Sequence, residues 1–243
     1  MYFYERKYSI DSYRLSIFGY RYAQYNNFMI PLFNKLDINA LELKGLSFVF
    51  DDKGNIFKHY VMLHKFWELD QYEHSKYDLF KDKKIKNITT KEDGFQITFI
   101  MLPSGDIISQ TKKGYDCYQT HLANGYLSNP NYYEFIKICL LNDIQPIFEL
   151  VGKKLQVEYH EPNLILTKLR CNKTGKYLNI EDFKTEFISV VKQYNNYTLD
   201  DLLELKKTVE KSEGWIVHFD DDTILKIKTD WWINEKKKKN ETL

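Results

Sequence analysis

A chain of 243 residues can bury a sizeable core, and 43% hydrophobic with 28% charged residues excludes wholesale disorder. The formal charge of +1 leaves any polyanion-binding surface to local clusters of lysine and arginine. Cys117, Cys139 and Cys171 are too few and too scattered for a disulfide framework or a zinc site.

No apolar run approaches the ~20 residues of a membrane span, and Met1–Lys7 lacks the basic-then-apolar order of a signal peptide. The expectation is a cytoplasmic protein with no membrane partner. The 19 Tyr and 16 Phe favour strands, although an AT-rich genome gives the same enrichment. One catalytic domain over 1–234 and a basic, disordered tail over 235–243 complete this coarse reading.

In chain order, the segment to about Asn27 reads as mixed helix and strand, with Leu15, Ile17 and Phe18 as its apolar positions. Leu43–Phe50, a turn at Asp51–Asn55 and Ile56–Val61 form a β-hairpin. Gln96–Leu102 and Ile107–Thr111 form a second one about Pro103–Asp106. Short helices flank Asn129, with Pro130 at a helix start and Tyr133, Ile136, Leu140 and Leu141 on one face. Strands follow at Ile147–Val151, Leu155–Tyr159 and Leu164–Leu169, then a turn at Asn172–Gly175. Thr198 opens a capping box ahead of a helix to about Lys211, and Trp215–Phe219 with Ile224–Lys228 makes the last hairpin. The class is α+β, with antiparallel sheets flanked by helices.

Lys91-Glu92-Asp93-Gly94 stands just before a strand, where Gly94 lets a ligand approach the backbone and Lys91 can act as a nucleophile. Alone, the tetrapeptide also reads as a charged surface turn. The second hairpin carries Lys113 on its return strand to a place opposite Phe95 or Gln96. The last hairpin sets Lys228 near Trp215 and Lys226 near Val217, with Glu213 on the same face. Lysines around one site neutralise a triphosphate, and a carboxylate holds the metal; an amphipathic strand with a solvated lysine face is the plainer alternative.

The ordered set of motifs resembles the adenylyltransferase domain of the T4 RNA ligase 1 family. The likeness runs from Tyr13-Arg14-Leu15-Ser16-Ile17-Phe18 and Ala40-Leu41-Glu42-Leu43-Lys44-Gly45 through Lys65-Phe66-Trp67, Lys91-Glu92-Asp93-Gly94 and Lys113-Gly114. It continues through Phe148-Glu149-Leu150-Val151, Glu213-Gly214-Trp215 and Leu225–Trp232. The resemblance implies a covalent nucleotidyltransferase fold with the nucleotide in a cleft. It also implies an ATP-dependent RNA ligase using Mg²⁺, with Mn²⁺ as a substitute, on RNA 5′-phosphate and 3′-hydroxyl ends.

On this resemblance Lys91 carries AMP, Lys226 and Lys228 contact the α-phosphate, and Lys65 and Lys113 bind phosphates. Glu149 holds the ribose or a metal-bound water, and Glu213 supports the metal. Lys44, Glu92, Gly94 and Trp232 complete the nucleotide site. Lys44 stands where the family has arginine, and Phe95 where it has serine. The C-terminal domain of the T4 enzyme has no counterpart, so the expectation is either a minimal family member or a fragment, with a separate specificity domain or protein as a candidate partner. A phage origin would place the chain in the host cytoplasm. Other readings are a DNA ligase, a guanylyltransferase, or a non-catalytic RNA-end-binding protein of the same fold.

Overall fold

The computed structural model describes residues 11–14, 20–25, 41–153 and 155–241. Leu15, Ile17, Phe18 and Ala40 lie outside them. Contacts divide the chain into two compact units. One comprises Met1–Lys65, Phe95–Leu150 and Leu166–Ser189; the other comprises Phe66–Gly94, Val151–Ile165 and Val190–Leu243.

The first unit holds two sheets. The N-terminal part gives two short strands, β1 (Asp11–Arg14) and β2 (Arg21–Gln24), which pair antiparallel. The expected hairpin follows as β3 (Ser47–Phe50) and β4 (Ile56–Tyr60), giving a four-stranded sheet β1-β2-β3-β4. The Asp51 carboxylate accepts the Lys53 and Asn55 N–H groups and so closes its turn. Leu43–Leu46, read as strand, is instead a turn after the helical residues Leu41 and Glu42, with Leu43 and Leu46 packed under Phe48 and Val61.

The second hairpin is β7 (Phe95–Met101) and β8 (Ile107–Gln110). They join β9 (Ile144–Val151), β10 (Asn163–Cys171) and β11 (Tyr177–Leu178) in the order β11-β10-β9-β7-β8. Helices α1 (Tyr118–Gly125) and α2 (Pro130–Leu141) follow β8, and the Asn129 side chain caps α2 at the Asn131 N–H. The buried face of α2 is Tyr132, Ile136, Cys139 and Leu140; Leu141 points to solvent.

A buried guanidinium braces this unit. Arg170 donates to Met62 O, Gly175 O and the Glu42 carboxylate at 2.6–2.7 Å. Beside it, the Tyr177 hydroxyl accepts the His64 backbone N–H and stands 2.8 Å from His64 Nδ1. Burial, reinforced by Arg170 and Lys44, pushes the His64 pKa down from 6.5 to about 3. The unfolded chain therefore binds this proton more readily than the folded one. The stability contributed by neutral His64 is complete above pH 6.5 and lost as pH falls toward about 3. Urea denaturation should show that His64→Asn flattens the acid slope by about 1 kcal/mol per pH unit below pH ~6.

The second unit contains β5 (Trp67–Glu68), β6 (Ile85–Thr90), β12 (Gln193–Tyr194), β13 (Gly214–Phe219) and β14 (Ile224–Lys228) in the order β12-β6-β13-β14-β5. All neighbours are antiparallel except β14 and β5. Ile88, Trp215, Val217, Leu225 and Ile227 form the core face, covered by Leu199 and Leu202 of α3 (Leu199–Thr208). Thr198 and Asp201 make the expected capping box; α3 ends at Thr208, short of Lys211.

Leu155–Tyr159, read as a strand, is irregular backbone. Residues 235–241 of the expected tail are helical: α4 (Asp230–Glu241) runs through Lys236–Lys239, whose side chains are exposed. Thr229 starts it, with its hydroxyl accepting the Trp232 N–H and donating to Ser212 O.

Candidate active site

The end of β6 delivers Lys91. Its N–H donates to Gly214 O at 2.8 Å, and its ammonium lies 2.7 Å from the Glu213 carboxylate. Glu213 is almost wholly buried, and Thr229 N–H fixes its carbonyl. Burial raises the Glu213 pKa, with Lys91 opposing and Asp93 adding to the shift. A buried carboxylate against a lysine amine is both an aiming contact and a place for the proton that the amine sheds.

The loop after Lys91 is pinned by a segment that the sequence pattern made a strand. The Asp93 carboxylate accepts the Gln156 and Val157 N–H groups at 2.8 and 3.0 Å. The Tyr159 hydroxyl accepts the Asp93 N–H and donates to Glu92 at 2.8 Å. Burial raises both the Glu92 carboxyl and the Tyr159 phenol, with the Glu92 charge adding to the latter. Irregular backbone supplies free N–H groups, which is why this segment can hold Asp93. Removing the hydroxyl leaves Glu92 and the Asp93 N–H without it, so Tyr159→Phe should cost about 2 kcal/mol in urea denaturation.

The last hairpin is one residue out of the expected register. Lys228 lies opposite Gly214 and Lys226 opposite Ile216, rather than Trp215 and Val217. The loop closes on Phe219 and Thr223, with Asp222 at a φ of 63°, and that pairing sets every partner above it. Trp215 and Val217 consequently face the core. Lys226 and Lys228 share the other face, and Glu213 precedes the strand, beyond Gly214, whose φ of 138° breaks the alternation. The Lys228 charge still acts on Glu213. Lys228 stands 4.4 Å from the Trp232 ring centroid and 3.4 Å from Glu68. Lys226 lies 5.8 Å from the Phe66 ring centroid. Trp232 is buried, with the Lys236 ammonium also over its ring.

Lys44, Lys65, Lys113 and Glu149 belong to the first unit. Lys44 Nζ lies 3.4 Å from Gln96 Oε1, and Gln96 pairs across β7 and β9 with Glu149. Lys65 is pinned by its N–H to Leu41 O. Lys113 is not on a return strand opposite Phe95 or Gln96, because β8 ends at Gln110 and Thr111 turns straight back onto Gly114. The neighbouring Lys112 is the one whose charge, after burial, lowers the Lys65 pKa.

Gln24 was not foreseen. Its buried carboxamide donates to both Gly45 O and Thr111 O, tying the Lys44 turn to the Lys112–Lys113 turn. A Cβ on Gly45 would meet Met62 Sδ at 2.2 Å, so this turn needs glycine. Tyr159, Glu68 and Gln24 carried no spacing signal, since each acts through a contact distant in sequence.

Among the described residues, no group of three or more His, Cys, Asp or Glu side chains could hold a metal ion. Mg²⁺ rarely needs such a cage: one or two carboxylates, waters and substrate phosphates commonly hold it. Glu213 is one such carboxylate, with the Lys91 ammonium at 2.7 Å and the Lys228 charge acting on it.

No protein-family model matches the chain. A Thermovibrio ammonificans protein named "Putative RNA ligase" is 25% identical over 225 residues, 88% of this chain and 56% of the relative. The structure is similar to an archaeal ATP-dependent RNA ligase with a TM-score of 0.66 at 14% identity, over 93% of this chain and 60% of that one. It is also similar to a Naegleria gruberi RNA ligase variant with ATP and Mn, with a TM-score of 0.51 at 15% identity over 65% of this chain and 53% of the other. The chain thus spans about 53–60% of the length of these relatives and has the α+β nucleotidyltransferase fold that these ligases share. Among the described residues, no helix is long and apolar enough to cross a membrane.

Proposed function

We propose that the chain is the adenylyl-transferring part of an ATP-dependent RNA ligase of the T4 RNA ligase 1 group. What supports the reading is one contact on this fold: the Lys91 amine of the signature loop, 2.7 Å from buried Glu213, with Lys228 acting on the same carboxylate. In the first step Lys91 Nζ attacks the α-phosphorus of ATP. The N–P bond forms, the P–O bond to pyrophosphate breaks, and Glu213 is placed to take the amine proton.

Lys226 and Lys228 would neutralise the α-phosphate. Lys44, Lys65 and Lys113, joined by Lys112, would receive the other phosphates, and Glu149 would hold the ribose. Glu92, Gly94 and Trp232 would border the nucleotide. Glu213, with phosphate oxygens and water, would hold Mg²⁺, which supplies further neutralisation of phosphate charge. AMP then passes from Lys91 to an RNA 5′-phosphate, and an RNA 3′-hydroxyl displaces it to form the sealed bond. A separate specificity domain or protein and a cytoplasmic setting belong to the same proposal.

The test is incubation of the purified chain with α-labelled ATP and Mg²⁺, denaturing electrophoresis and a pyrophosphate challenge. Covalent label that pyrophosphate removes supports the reading. Absence of label with ATP, GTP or NAD overturns it and leaves a non-catalytic RNA-end-binding role.

A further inference from the structure

Lys228 is held on two sides. Trp232 lies against its ammonium at 4.4 Å, and the Glu68 carboxylate stands 3.4 Å away. Glu68 arrives there because β5 runs parallel to β14, opposite Lys226, with Lys228 two residues further along the same face. Its backbone is fixed as well: the Glu68 N–H donates to Gln71 Oε1, and the Leu69 N–H donates to Lys226 O. The phosphate chemistry assigned to Lys228 has no use for a carboxylate at this point. An incoming phosphate oxygen meets an ammonium that already has an anion.

We infer that Glu68 is a positioning residue that stays on the Lys228 ammonium when phosphate binds, aiming it while opposing the phosphate charge. The inference rests on the adenylyl-transfer reading. The ammonium has three donors and can hold carboxylate and phosphate together, and because the pair keeps contact with water the opposition is modest. Two observables should move in opposite senses. Removing the carboxylate tightens phosphate binding, because an opposing charge is gone, and it slows adenylyl transfer, because Lys228 loses one of the two contacts that aim it. A purely structural Glu68 would weaken both.

The experiment measures metal-free tripolyphosphate binding by calorimetry to the full chain and to Glu68→Gln, Glu68→Asp, Lys228→Gln and the Glu68→Gln/Lys228→Gln pair. Single-turnover formation of covalent AMP is followed for the wild type and Glu68→Gln. Glu68→Gln should bind about three- to five-fold tighter and transfer AMP several-fold more slowly. The tightening should vanish in the Lys228→Gln background. Glu68→Asp, which keeps the charge, should bind as the wild type does. Unchanged or weaker binding by Glu68→Gln, tightening that persists without Lys228, or tightening equally present in Glu68→Asp overturns the inference. So does a wild-type chain that binds no tripolyphosphate. A wild type that forms no covalent AMP removes the adenylyl-transfer reading instead, and the binding cycle still decides whether Glu68 opposes phosphate at Lys228.

Discussion

Lys91→Ala should carry no AMP label at all under conditions in which the wild-type chain is labelled. The bond that forms is N–P, and the Lys91 amine is the nitrogen that the structure sets against Glu213 at 2.7 Å. Lys226 and Lys228 lie on a different strand and would meet the phosphate as cations, so neither replaces the missing nucleophile. The same variant should still join an RNA whose 5′-end has been adenylylated chemically, because the amine takes no part in that displacement. Electrophoresis of labelled protein and a sealing assay on the two RNA substrates measure both outcomes. Label on Lys91→Ala would move the nucleophile elsewhere and take the proposed chemistry with it.

Gly214→Ala should unfold the second unit more readily and depress adenylyl transfer with it. Gly214 adopts a φ of 138°, and a Cβ there would stand 2.0 Å from Ile227 O and 2.8 Å from Lys228 Cα. Both atoms are backbone of the paired strand, so neither can swing aside. The hairpin must shift, at a cost of about 3 kcal/mol or more. For a chain of this size that is a fall in Tm on the order of 10 °C. The shift reaches the site directly, since Gly214 O accepts the Lys91 N–H and Glu213 is its neighbour. A Tm within about 2 °C of the wild type would show that the hairpin has room for the methyl.

The sequence legibly encoded the local elements. Asp51–Asn55 and Pro103–Asp106 hold turn residues between apolar runs, and both hairpins form there. Thr198 and Asp201 announced their helix start, as Pro130 did after Asn129. The motif order also pointed to the nucleotidyltransferase fold and to Lys91 and Glu213, which the structure brings into contact. Lys236–Lys239 are solvated, as their run suggests, but they stand on α4, which Trp232 anchors by its ring and by the Thr229 cap.

What the sequence by itself determined, then, was turn chemistry and helix caps, which depend on neighbours a few residues away. Tertiary structure alone decided the one-residue register of the last hairpin, the parallel docking of β5 that brings Glu68 to Lys228, and the capture of Asp93 and Glu92 by Gln156, Val157 and Tyr159. The reason is physical. Register follows from a loop closure at Phe219 and Thr223, and pairings more than sixty residues apart are selected by burial and by unpaired N–H groups, which leave no periodic mark on the chain.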